Sequence, residues 1–294
     1  MEPTFPLLRL PENAIIKVFQ NLPLGTLFFI SLVSSKTKKF VTSLGLRANH
    51  VDIRIDRLSE VVVHTQAPYF NLPLLPFTLL EFKDWMNHIR TIFCYTSPPN
   101  VRFSPNRARF NVQSLKDAIG NVNWLYVFRE LTNVKSREVL KHFNTPNNLY
   151  LSKNPFEEVS EIQKIFIQNF ESVEFHDFYS LDDMLLVNSE SAHFYHPTTQ
   201  KQFNRFLKHW IRGSNPRLQY MSLFVHKTDS VSGEVYLNGI RCIVMSEDAK
   251  REIRQKHKLS ANADMIQIRR KDGTPAVIAT KDENILYVRF IVLY

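Results

Sequence analysis

Histidines 176, 193 and 196, with Asp177 beside the first, come closest in this chain to a metal-ligand set, because imidazole nitrogens and a carboxylate are donors that zinc takes. Their spacing weighs against it. No ligand pair recurs at helical spacing, and His193 falls in a segment that reads as a strand. Asp182 and Asp183 offer two carboxylates for acid–base work, but both fall in the first turn of a predicted helix, where negative charge complements the dipole. Ser35-x-x-Lys38 has the spacing of a serine–lysine nucleophile motif and lacks every supporting element. Only seven glycines are present, and no two lie close enough to cradle a phosphate, which excludes a P-loop and a dinucleotide fingerprint. The chain therefore reads as non-enzymatic, with no cofactor and no metal.

Composition sets the frame for what remains. With 294 residues, 44% hydrophobic and 23 of them Phe, the chain has room for one large or two modest domains with substantial cores. Cys94 and Cys242 form no Cys-x-x-Cys pair, no glycosylation sequon occurs, and Glu2, Pro6, Arg9, Pro11 and Glu12 interrupt any signal-like apolar core. No window approaches the ~20 apolar residues of a spanning helix. The expectation is a soluble intracellular protein, cytoplasmic or nuclear, with no membrane partner. A net charge of +9 includes a basic surplus at 241–271, which reads as a solvated helix face and only secondarily as a nucleic-acid surface.

The first 44 residues carry more apolar surface than so small a unit can bury alone. Pro11 suits the start of a helix, and Ala14, Ile15, Val18, Phe19 and Leu22 follow at helical spacing until Pro23 breaks the pattern. The next segment, Leu24 to Val33, is apolar almost all round, as in a helix covered on every face. Units below about 40 residues usually need a metal, disulfides or association. Neither cysteine lies here, so an interface is expected.

These residues resemble an F-box. The likeness rests on Leu10-Pro11, Ile15, Val18-Phe19, Leu22-Pro23, Leu27, Ile30-Ser31-Leu32-Val33-Ser34, Lys38-Lys39 and Phe40; the departures are Asn13, Ala14 and Phe40, where an acidic residue, a larger residue and Trp are common. The resemblance implies docking on a Skp-family adaptor and, through it, on a cullin scaffold carrying ubiquitin-transfer machinery. Leu10, Pro11, Ile15, Val18, Leu22, Leu27, Phe29, Ile30, Val33 and Phe40 would supply the adaptor contact.

Beyond the helices, Val51 to Gln66 reads as two strands, Pro68 to Pro76 as a connecting loop, and Phe82 to Phe93 as a helix opened by Thr78 with Glu81. From residue 123 a strand–loop–helix unit recurs. Aligning Leu125, Leu149, Val173, Ala192 and Leu218 gives separations that suit a leucine-rich-type period of about 20 to 29 residues. Ser160 with Gln163, Ser180 with Asp183 and Thr199 with Gln202 have the form of helix caps, and Ser246 announces a further helix to about Lys258. Met265 to Arg270, Ala276 to Thr280 and Ile285 to Leu293 then suggest an antiparallel meander.

This region is similar to the type-2 F-box-associated domain of a nematode F-box family, through Asn121 to Leu131, Leu181 to Ser189 and Phe206 to Leu218, the last containing Gly213-Ser214-Asn215-Pro216. The resemblance implies a cargo-selecting module. The fold class expected is α+β, with a three-helix F-box at 1–48, connecting strands and helices packed on the second domain at 49–122, and an irregular leucine-rich-repeat-like strand–helix stack closed by the meander at 123–294. The function expected is the substrate-recognition subunit of an SCF-type ubiquitin ligase. Alternatives are an adaptor-bound scaffold without ligase activity and a basic nucleic-acid-binding protein. Cargo, an unidentified protein, is expected at strand positions facing away from the helices: Tyr126, Tyr150, Glu174, His193 and Gln219.

Overall fold

A computed structural model describes residues 9–56, 60–65, 70–73, 79–104, 111–227, 235–282 and 285–293. The chain divides into two compact units, Met1–Tyr126 with Glu138–Pro146, and Val127–Arg137 with Asn147–Tyr294.

In the first unit, α1 (Glu12–Gln20) starts after Pro11, whose carbonyl accepts from the amides of Ala14 and Ile15. Pro23 separates it from α2 (Leu24–Val33). α3 (Ser35–Ser43) opens on a reciprocal cap between Ser34 and Thr37, which the sequence reading did not single out. Ile15, Phe19, Leu27, Phe28, Phe40 and Val41 are buried, with Phe19 and Phe40 edge to face at 6.3 Å. β1 (Ala48–Ile55) pairs antiparallel with β2 (Glu60–Thr65), and β2 with β3 (Phe70–Pro73). Thus a strand occupies part of the expected loop, its backbone paired with β2. α4 (Leu79–Ile92) follows; Thr78, its expected cap, lies outside the described residues. β4 (Asn100–Phe103) runs parallel to β1, with Ile53 opposite Val101, and α5 (Val112–Ile119) and β5 (Trp124–Val127) come next.

The described residues of the segment at 49–122 fall in the first unit, where Trp85, His88 and Phe93 close over Phe28 of α2.

After α6 (Asn133–His142), the second unit has four parallel strands, β6 (Asn148–Leu151), β7 (Ser172–Phe175), β8 (Ser191–Thr198) and β9 (Tyr220–Val225). Three helices link them: α7 (Val159–Phe166), α8 (Leu181–Leu186) and α9 (Gln200–Arg212). Ser180 and Thr199 cap as expected, through Asp183 and the Gln202 amide. Ser160 does not; it lies inside α7, which starts at Val159. Leu149, Val173 and Ala192 stand in register as aligned, but the fourth partner is Met221, three positions beyond Leu218. Leu218 is held in the preceding turn, its amide donating to the Asn215 carbonyl.

A 3-10 turn at Val235–Leu237, β10 (Ile243–Val244) and α10 (Glu247–His257) precede β11 (Asp264–Arg269), β12 (Pro275–Asp282) and β13 (Leu286–Val292). The last three form an antiparallel meander whose β13 pairs antiparallel with β9, so the unit's sheet runs β6-β7-β8-β9-β13-β12-β11-β10. α9 packs on the back of this sheet, Phe206 and Trp210 meeting Phe290 edge to face. Ile253 of α10 instead shares a core with Ile291, Val277 and Met265. Because neighbouring strand residues point to opposite faces, Phe290 and Ile291 place α9 behind the sheet and α10 in front of it.

The Gly-Ser-Asn-Pro segment has a structural role. Gly213 ends α9 at φ 116°, a left-handed conformation that favours glycine. Asn215, left-handed at φ 51° and buried, brings Nδ2 within 2.9–3.2 Å of the carbonyls of Met184, Leu185 and Val187. It thereby satisfies acceptors left open at the end of α8. Arg270 stacks on Trp210 at 4.6 Å and donates to the carbonyls of Trp210, Ser214 and Asn215.

Candidate functional sites

α2 is apolar all round, yet its sides meet different environments. Leu27, Phe28 and Ser31 face inward. Ser31 donates to the Phe28 carbonyl, and its hydroxyl lies 2.6 Å from Nε2 of His88. Burial, with Lys38 adding a smaller effect, holds the pKa of His88 below its ordinary value. On the outer side Phe29, Leu32 and Val33 are exposed, at 52%, 47% and 73%, and Val18 of α1 adds a fourth apolar side chain at 39%. Exposed apolar residues clustered on one short helix mark an interaction surface more than scattered ones do.

Of the ten residues expected at the adaptor contact, Pro11, Val18, Phe29 and Val33 are exposed and Leu10, Leu22 and Ile30 half-buried. Ile15, Leu27 and Phe40 are core residues of the first unit. They cannot offer surface without unfolding, so they support the face from beneath. Leu32, not among the ten, is exposed as well.

The front of the second unit's sheet holds the other candidate. Tyr150, Glu174 and His193 stand side by side across β6, β7 and β8, and the next position in register is Ser222. Gln219, expected there, precedes β9 and bonds Glu190 instead. Tyr126 belongs to the first unit, where Arg102 stacks over its ring at 4.1 Å. His193 bridges Ser191 and Ser222, at 3.1 and 2.8 Å. Its pKa is lowered by burial first and by Arg289 second, and burial raises that of Glu174. One row along, rings continue across the strands: Phe128 to Tyr150 at 5.3 Å, Tyr150 to His176 at 4.8 Å, His176 stacked on Tyr195 at 3.9 Å, Tyr195 to Phe224 at 6.3 Å, and Phe224 to Tyr287 at 5.1 Å.

The histidines weighed as metal ligands are used otherwise. His176 stacks on Tyr195, His193 bonds two serines, and His196 lies against Phe178. A different trio, His50, Asp52 and His64, does bring donor atoms within 4.8 Å of one another. The two imidazoles there are stacked at 3.9 Å and 16°, so their in-plane lone pairs run nearly parallel and do not converge. Asp52 already accepts from Asn100 and lies 3.8 Å from the Arg102 guanidinium. The arrangement does not fit a metal.

Part of the basic surplus at 241–271 is engaged. Lys250 and Arg254 pair with Glu247, Arg251 with Asp248, and Arg270 is held on Trp210. No described helix is long and apolar enough to cross a membrane.

Residues 7–49 match the F-box domain family, and residues 161–223 match the family described as F-box associated. The chain is similar to the F-box associated domain-containing protein sdz-33 of Caenorhabditis elegans, at 22% identity over 242 residues, covering 73% of this chain and 76% of that protein. No solved structure matches the chain. An F-box joined to such a segment points to a substrate-adaptor protein, a class that is generally non-catalytic, and F-box domains generally bind a Skp-family adaptor.

Proposed function

We propose that this F-box protein is the substrate-recognition subunit of an SCF-type ubiquitin ligase. One observation carries the reading: α2 buries Phe28 in its own unit while leaving Phe29, Leu32 and Val33 uncovered. Those three and Val18 are the proposed anchors to a Skp-family adaptor, with Leu10, Pro11, Leu22 and Ile30 at the margin and Ile15, Leu27 and Phe40 holding the face in shape. Fully burying one such side chain contributes about 1.5 to 3 kcal/mol, so a few central anchors suffice for a stable complex. The adaptor links the chain to a cullin scaffold, and the front face of the second unit holds cargo. No nucleophile, acid–base pair or metal is required of this chain; it raises the effective concentration of cargo beside a ubiquitin-charged enzyme.

Co-purification tests the reading. Recovery of adaptor, cullin and ubiquitin-modified cargo together supports the ligase role. Adaptor without cullin would leave only the scaffold role, and recovery of neither would overturn the proposal.

A further inference from the structure

We propose that a pocket on the front face of the second unit binds an internal acidic segment of a peptide chain, one in which a carboxylate side chain stands next to an apolar side chain. The inference rests on the reading of the second unit as the cargo-selecting part and names the chemistry it selects.

The pocket encloses about 370 Å³ where the ring row meets the end of α10. That volume falls within the roughly 300–1,000 Å³ of ligand sites, enough for two or three side chains. Tyr195, Phe224 and Tyr287 supply apolar walls, Ser222 a hydroxyl, and Lys281 and Arg289 two cations. Leu259 and Ser260, directly after α10, close the other side. Among the described lining residues there is no carboxylate, and Glu174, on the same sheet face, is not one of them.

Arg289 sets the sign of the site. Its guanidinium lies 5.3 Å from the Tyr287 ring, with Nε directed to Tyr287 Oη and Nη1 to the carbonyls of His257 and Lys258. Those carbonyls form the negative end of the α10 dipole, which would otherwise repel an anion. With Nη1 on them, the helix end is neutralised and the group is fixed in place. Nη2 has no hydrogen-bond partner among the described residues. A half-buried, oriented guanidinium with donor capacity left over is suited to a carboxylate.

The rings alone would also suit a cationic ligand. Arg289 and Lys281 exclude that choice, since a second cation would enter a site already positive. Lys256 and Lys258, exposed at the end of α10 with no acidic partner among the described residues, extend the same field beside Leu259. Charge thus selects an anion and the walls an apolar neighbour. A nucleic acid would need a longer basic track, and the cations of α10 that would build one are paired with Glu247 and Asp248.

The test uses the full chain and fluorescein-labelled decapeptides, acetylated and amidated at their ends so that no terminal carboxylate is present. In a Ser/Gly background, one peptide carries Glu beside Phe, a second Gln beside Phe, and a third Glu alone. The Glu-Phe peptide should bind at least tenfold tighter than either other peptide, and Lys281→Glu and Arg289→Gln should each remove that preference. Arg289→Gln also removes a tie to α10, so Lys281→Glu, a charge reversal away from that tie, is read beside it. Equal binding of Glu-Phe and Gln-Phe, a requirement for a free C-terminal acid, or binding only of a 12-nucleotide RNA would each overturn the proposal. Adaptor binding measured on the same samples separates the two readings. Peptide selectivity without adaptor binding would refute the ligase role alone, and adaptor binding without selectivity would refute this one alone.

Discussion

Phe28 and Phe29 touch edge to face with ring centroids 5.9 Å apart, yet Phe28 has no exposed surface and Phe29 keeps 52% of its own. Trp85, His88 and Phe93 contribute to the difference, since all three close on Phe28 while, of these, Trp85 reaches the edge of Phe29. The first unit thus finishes one side of α2 itself and leaves the other unfinished.

That division makes the two residues unequal in stability. Phe28→Ala should lower the unfolding free energy by about 3 to 5 kcal/mol, as for other buried Phe truncations. Phe29→Ala should cost less than about 1.5 kcal/mol, because half its surface already meets water. Urea denaturation measures both, and equal losses would mean that α2 is packed differently.

Asn215 offers a separate check on the second unit. Asn215→Ala removes the donor serving Met184, Leu185 and Val187 and places a Cβ-bearing residue without that donor at φ 51°. A loss of about 2 to 4 kcal/mol is expected from the unsatisfied carbonyls and the left-handed backbone together. Asn215→Gly should recover about 1 kcal/mol of it by relieving the backbone alone. If the two variants were equally stable, the backbone contribution would be refuted.

Much of this architecture was legible from local sequence. Pro23 marks the break between α1 and α2, Ser180, Thr199 and Ser246 cap their helices, and Leu149, Val173 and Ala192 stand in register as their spacing implied. What failed depended on distant partners. Leu218 and Gln219 were read as strand residues because nothing local signals that Asn215 ties its loop to α8 and delays β9 until Tyr220. Nothing within α2 reveals which of its apolar sides α4 covers; Leu27, expected at the adaptor contact, is buried, and Leu32, not expected there, is exposed. Likewise α10 gives no sign that it lies on the sheet face opposite α9, where Leu259 and Ser260, directly after it, wall the pocket.

Arg270 tests the junction of α9 with the meander. Arg270→Lys keeps the charge but loses the planar stack on Trp210 and the fork reaching three carbonyls. A loss of about 1 to 2 kcal/mol is expected, with a shift in tryptophan emission because Trp210 is fully buried. Unchanged stability and emission would show the stack to be dispensable.

Stability should also respond to acid near neutrality. His88 and His193 both have pKa values held below 6.5, chiefly by burial. Well above 6.5 both states are neutral at these groups and nothing is lost; as pH falls through 6.5 the unfolded chain binds protons that the folded chain resists, so stability falls. Glu174, raised above 4.5 by burial, acts in the opposite sense at lower pH. Denaturation midpoints should therefore decline between about pH 7.5 and about pH 5.5, and a His88→Gln/His193→Gln variant should decline less steeply. Identical slopes for the two proteins would contradict the assignment.

The central claim is that the uncovered side of α2 is completed by a Skp-family adaptor. Titrating purified adaptor against the full chain and against Phe29→Asp/Val33→Asp measures it directly, with thermal unfolding of each chain run in parallel. The account predicts affinity weakened by at least about 100-fold, equivalent to roughly 2.7 kcal/mol, while the melting temperature changes little. Adaptor affinity left within about twofold of the unsubstituted chain would contradict it.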